Sequence, residues 1–214
     1  MRRWTCASES ELSVACFVMG QHMTWLYKDR NEAAFLDEIK GLPDRAVGLL
    51  VPIVIDERLT AAIKARWVDV QTKGGTLFSE LFRDGGELGN FATRVRIGAV
   101  IGLYGGETYK DLVAINKIRN AFAHRLEVRD FNCQPVSDLA RNLLLPASFP
   151  AAIGESFTTV IYGPDGPWRM FVRATSSIDM ESNRGIFLRT AEILNIFLFR
   201  EANEANPNPL QPRF

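Results

Sequence analysis

Apolar residues recur at helical rather than strand spacing through most of this chain. Leu12, Cys16 and Met19 follow that rhythm, and Ala33, Leu36 and Ile39 resume it after a polar break at Asp29-Arg30-Asn31. The pattern predicts a helical region over 8–40, ended by Gly41-Leu42-Pro43. Asp44 is placed to N-cap a long helix running towards residue 70. Pro52 should kink that helix by removing one backbone hydrogen bond. The β-branched run over 49–55 leaves a strand there as the alternative.

Glycines cluster over 74–89 around a short apolar piece at 77–82, which predicts a short helix flanked by loops. Asn90 is the expected cap of the next helix, with Phe91, Val95, Gly98 and Ile101 in one stripe. Gly105-Gly106 breaks the chain again. Thr108 is then expected to cap a helix whose apolar stripe is Tyr109, Leu112, Ile115, Ile118, Phe122 and Leu126.

Beyond Asp130 the pattern weakens to a helix over 136–145, closed by Pro146 and Pro150. Residues 157–162 and 168–174 flank Gly163-Pro164-Asp165-Gly166 and read as a β-hairpin. A last helix over 183–205 carries Ile186, Leu188, Ile193, Leu194, Ile196, Phe197 and Leu198, and should pack in the core or at a subunit contact. The proline-rich stretch 206–214 is expected to be extended or disordered. Together these elements predict a mainly α helical bundle, one domain over 1–205, with one small hairpin in its C-terminal third.

Composition narrows the function classes. With 214 residues and 47% hydrophobic content the chain can bury a proper core. Lysine plus arginine equals aspartate plus glutamate at 25 each, which argues against a broad basic surface for coating nucleic acid or an anionic membrane. Cys6, Cys16 and Cys133 are scattered, and only His22 and His124 supply imidazoles. Neither a disulfide framework nor a metal site follows, and no cofactor is expected. Met1-Arg2-Arg3 resembles the start of a signal peptide, but Glu9 and Glu11 interrupt it before any apolar run. No uncharged run approaches the roughly 20 residues of a membrane helix. The expected location is cytoplasmic.

Phosphate-loop, dinucleotide, nucleophile-elbow and zinc-protease patterns are absent from the sequence. A helix-turn-helix needs a polar, basic recognition face, and the helix after Gly105-Gly106 begins with Glu107, Tyr109 and Asp111 instead. What remains is Asn116-Lys117-Ile118-Arg119-Asn120-Ala121-Phe122-Ala123-His124. At about 100° per residue, Arg119 falls at the edge of the buried arc, with Asn116, Asn120 and then His124 following round the wheel. Arg119 and His124 are not close on that wheel. They converge only through a bent helix end, a substrate or a second subunit. An arginine in an apolar arc is costly unless paired. One reading therefore locks Arg119 to Asp56 or Glu57, and leaves His124 as a residue favoured by the helix dipole. The other is a polar notch holding an anion beside a titrating histidine.

The arginine followed by asparagine, with histidine five positions after the arginine, resembles the signature of the HEPN superfamily of helical bundles. Residues 45–128 resemble the mannitol-operon-repressor (MtlR-like) family more closely. The matching pieces are Asp56-Glu57-Arg58-Leu59, then Gly86-Glu87-Leu88 to Phe91 with Arg94, and Tyr109-Lys110-Asp111-Leu112 leading into the Arg119–His124 motif. They cover less than half the chain.

The resemblance implies two function classes. The first is a transcriptional regulator without a helix-turn-helix, acting through protein contacts and not binding DNA directly by itself. The second is a metal-independent endoribonuclease of HEPN type, with paired subunits facing each other across a cleft. There Arg119 would hold the scissile phosphate, Asn120 would orient the site, and His124 would act as general acid or base. Asp56, Glu57 and Asn116 would support it. A toxin-like RNA-binding module is the alternative to the nuclease, and a third class is an interaction module that uses the fold as a scaffold, as in one half of a toxin-antitoxin pair. The implied partners are a second copy of the chain and another protein, with RNA as the alternative.

Overall fold

The computed structural model describes residues 35, 38–39, 41–67, 69–148, 156–163, 166–173 and 179–203, those of 156–173 by their backbone alone. Of the helical region expected over 8–40, all but residues 35 and 38–39 lies outside the described residues, as does the expected disorder over 206–214. What is described is mainly helical, with small antiparallel β-pairs. One continuous apolar core runs from Ile39 to Leu198.

Helix α1 (Asp44–Ala65) is the central strut. Val47, Val51, Val54, Ile55, Leu59, Ala62 and Ile63 recur at helical spacing and are all buried. That periodic burial overrides the β-propensity of 49–55, and the helix continues through a buried Pro52. Two expectations are corrected here. The N-cap is Pro43, and Asp44 lies inside the first turn with its carboxylate drawn to tertiary partners. The helix also stops at Ala65 rather than near 70. Beyond it Trp67 packs against Phe82, with ring centroids 6.5 Å apart, and Lys64 lies over the same ring at 4.8 Å.

The chain then turns through an unpredicted two-residue β-pair, β1 (Gln71–Thr72) with β2 (Gly75–Thr76). Gly75 takes a φ of 139°, which its missing Cβ permits. Helix α2 (Leu77–Phe82) opens on a capping box between Thr76 and Ser79. Helix α3 (Phe91–Val100) is capped by Asn90 as the sequence predicts, Thr93 N–H donating to Asn90 Oδ1 at 2.8 Å. Phe91, Val95 and Gly98 are buried, with Ile101 half-buried at the helix end.

Helix α4 (Gly106–His124) begins two residues before the expected cap. Tyr109 N–H donates to Gly105 O at 3.1 Å, so the first turn already closes over Thr108. Leu112, Ile115, Ile118 and Phe122 face the core as predicted. Leu126 does not, at 81% exposure. The helix ends at His124 and Arg125 is extended, so Leu126 leaves the helical stripe.

The expected helix over 136–145 is two short ones, α5 (Val136–Arg141) and α6 (Leu145–Ser148). The break follows from Asp111, whose carboxylate accepts the Leu144 and Leu145 N–H groups. Pro146 therefore opens α6 instead of closing α5, at a position where a missing N–H is tolerated. The hairpin is present: β3 (Ser156–Gly163) pairs antiparallel with β4 (Gly166–Arg173), Gly163 opposite Gly166. Helix α7 (Asn183–Asn203) closes the bundle and packs most extensively on α1. Among the described residues no helix is long and apolar enough to cross a membrane.

Candidate functional site

The buried arc of α4 dictates what its other face can do. Phe122 and Ile118 anchor one side of the last two turns. The remainder of those turns carries Asn116 and Arg119, half-buried, then Asn120, Ala123 and His124, exposed. Arg119 makes no hydrogen bond or ion pair with any described residue. Asn116, Asn120 and His124 are likewise without side-chain partners among the described residues. The helix runs unbroken to His124. Arg119 and His124 therefore stand about 140° apart on it. One chain does not bring them to a common point, and no bent helix end is present to do so.

Asp56 is not available to Arg119. Its two carboxylate oxygens accept from Arg94 Nε at 2.7 Å and Arg94 Nη2 at 2.5 Å. Arg94 Nη1 also donates to Leu88 O at 2.5 Å. This two-pronged pair is the strong geometry for guanidinium and carboxylate. It ties together two of the sequence pieces quoted above, 56–59 and 86–94. Glu57 is exposed on α1 and forms no pair with Arg119. The expected lock between Arg119 and these acids is not formed, because Arg94 reaches Asp56 from α3.

Among the described residues the other buried cations, Arg58 and Arg189, have partners, and so does the half-buried Arg184. Arg58, 1% exposed, donates from Nε to Asn195 Oδ1 at 2.9 Å and lies 4.7 Å from the centroid of the Phe199 ring. Arg189 meets Glu192 at 3.4 Å. Arg184 bridges Asp44 at 2.6 Å and the Leu42 carbonyl at 3.0 Å. Sequence reading missed the roles of Arg58 and Arg94. Their signal was present, since each is a cation placed among apolar neighbours at helical spacing.

Of the acids at the start of α4, Asp111 is buried and Glu107 stays exposed. Glu107 accepts from Ser148 Oγ at 2.8 Å. Burial pushes the Asp111 carboxyl above its ordinary range, although hydrogen bonds from Leu145 and Leu144 N–H pull the other way. Burial, and then the neighbouring Tyr109, pushes the Tyr104 phenol well above its usual value, and its hydroxyl donates to Val95 O at 2.6 Å. At the exit of α4, Asp130 accepts from Asn132 N–H at 2.8 Å and Cys133 N–H at 3.1 Å. The Asn132 bond, with the Cys133 contacts, holds that exposed carboxyl below its ordinary range.

Compared with family models, with curated proteins and with solved structures, the chain matches none. Among the described residues no group of three or more His, Cys, Asp or Glu side chains is arranged to hold a metal ion. The candidate site is thus the face of α4 formed by Asn116, Arg119, Asn120 and His124. Hydrogen-bond donors and one fixed positive charge are its chemistry.

Proposed function

We propose that this chain is a cytoplasmic regulator of the mannitol-repressor kind, paired as a homodimer, that acts through protein contacts made by the polar face of α4. The observation that carries the reading is the contrast among arginines. Arg58, Arg94, Arg184 and Arg189 each meet a partner within the bundle, whereas the half-buried Arg119, like the half-buried Arg45 of α1, has none among the described residues, and Arg119 alone of these two stands beside Asn116 and Asn120 on the polar face of α4. An arginine on a half-buried stem, left unpaired by the fold, is suited to an incoming acceptor. The start of α4 does not suit DNA, because Glu107 lies there exposed.

The test compares transcripts after deletion of the gene with those after Arg119→Ala or His124→Ala in the native host. The reading expects each substitution to reproduce the deletion, and the purified chain alone to leave DNA mobility unchanged. Deletion without effect on any transcript would overturn it.

A second reading is favoured by the exposure of Asn120 and His124 beside Arg119. In a HEPN-type endoribonuclease, the ribose 2′-hydroxyl attacks the adjacent phosphorus and the 5′-oxygen leaves. His124 moves the proton, and Arg119 offsets the charge on the phosphate. A second subunit would bring one chain's His124 towards the other's Arg119. This reading expects cleavage of single-stranded RNA in the presence of a chelator, lost in both Arg119→Ala and His124→Ala. Intact RNA across pH 5–9 (roughly the range where an imidazole exchanges its proton) would remove it.

A further inference from the structure

The exit of α4 is held from outside the helix. Helix ends fray when their last carbonyls lack partners, and His124 is the last helical residue. Seven positions further on, Phe131 is fixed at three points. Its N–H donates to Asp44 Oδ2 at 3.0 Å, and its carbonyl accepts from Asn183 Nδ2 at 3.1 Å. Its ring sits between Phe122 and Phe187, with centroids 5.1 and 4.9 Å away.

Both clamping side chains are themselves held. Asp44 Oδ1 pairs with Arg184 at 2.6 Å. Asn183 is buried, donates also to Asn132 Oδ1 at 3.1 Å, and accepts from Arg141 Nε at 3.0 Å. The loop 125–129, exposed except for Val128, which is sunk in the core, is therefore strung between Phe122 and Phe131, whose rings touch. Loop closure over so short a span leaves little freedom at its start.

We infer that Asp44 and Asn183 are positioning residues for His124, and that they tie its placement to the first turn of α7. The inference rests on the polar face of α4 being the working site. Neither residue touches that face; both act through Phe131 and the loop.

The test is amide hydrogen exchange on the full-length chain, together with the ring resonance of His124. Asp44→Ala and Asn183→Ala should each speed exchange at 121–128 about tenfold relative to α3, since each removes a hydrogen bond to Phe131, part-buried for Asp44 and buried for Asn183, together with that side chain's own supports. The His124 ring signal should broaden or move in both. Asp44→Asn keeps an acceptor for Phe131 N–H and should stay within about twofold of the wild type. Should the alanine variants fail to fold, Asn183→Asp serves in their place. It keeps the acceptor for Arg141 and loses the donor to Phe131. Equal acceleration in α3 and α4, or none in either, would overturn the inference. Local loosening at 121–128, with Arg119→Ala and His124→Ala silent in the transcript and cleavage assays, would leave the clamp standing and remove the functional reading alone.

Discussion

The ring of Phe122 lies directly on the backbone of Gly48, so closely that a methyl group at position 48 would overlap three of its carbons. This contact sets how near α4 approaches α1. Gly48→Ala gains a little helix propensity but overpacks a filled core, and should destabilise the protein by about 1–2 kcal/mol net. Urea denaturation checks it. Adding Phe122→Leu should recover part of the loss, a coupling that independent sites would not show.

The pairing of Asp56 with Arg94 gives a second expectation. Asp56→Ala strands a largely buried guanidinium and should cost about 2–4 kcal/mol, somewhat less than the roughly 3–5 kcal/mol of a fully buried pair because the Asp56 side chain is 23% exposed. Asp56→Ala combined with Arg94→Leu should cost clearly less than the sum of the two single changes. Additive losses in the denaturation midpoints would mean the pair contributes nothing beyond its parts.

How far these contacts could be read from sequence depends on their range. Asn90 capping α3, the hairpin about Gly163 and Gly166, and the buried series Leu112, Ile115, Ile118, Phe122 all follow from residues within a few positions of each other. Asp44 and Thr108 were misread because a helix cap depends on where the first turn closes, and tertiary partners decided that for Asp44. The division of α5 from α6 was illegible for the same reason, since it depends on Asp111, more than thirty residues away. Of the candidate site, the polar face of α4 was legible from local spacing, whereas the diversion of Asp56 to Arg94 needed the packing of α3 to be known.

Asp111 predicts a pH dependence with a definite sign. Its native carboxyl binds a proton more readily than the ordinary carboxyl near 3.8, chiefly through burial. Between the ordinary value and the raised native value the folded state holds more protons than the unfolded one, so stability falls as pH rises through that window. The stability advantage of wild type over Asp111→Asn should therefore shrink as pH climbs from below 3.8 and level off above the native value. Measured by urea denaturation across pH, an advantage that grows instead would mean the Leu144 and Leu145 hydrogen bonds outweigh burial.

Arg119→Ala and His124→Ala should leave thermal stability nearly unchanged, within about 0.5 kcal/mol for the exposed His124 and about 1 kcal/mol for the half-buried Arg119 stem. Calorimetry on both variants is the measurement. A loss several times larger at Arg119 would show that the guanidinium helps hold the bundle, and would weaken the case for a working face.

Helix α7 contributes more than apolar bulk to the bundle. The Arg58 guanidinium meets the Asn195 amide and the Phe199 ring together, one helical turn apart on the facing element. A slip of α7 by one turn would carry both away by about 5.4 Å and leave a dehydrated cation facing hydrocarbon. Leucines and isoleucines alone would tolerate many sliding registers; a single polar key admits one. The last helix is thereby indexed, and with it the vertical level at which Asn183 and Arg184 meet the rest of the chain.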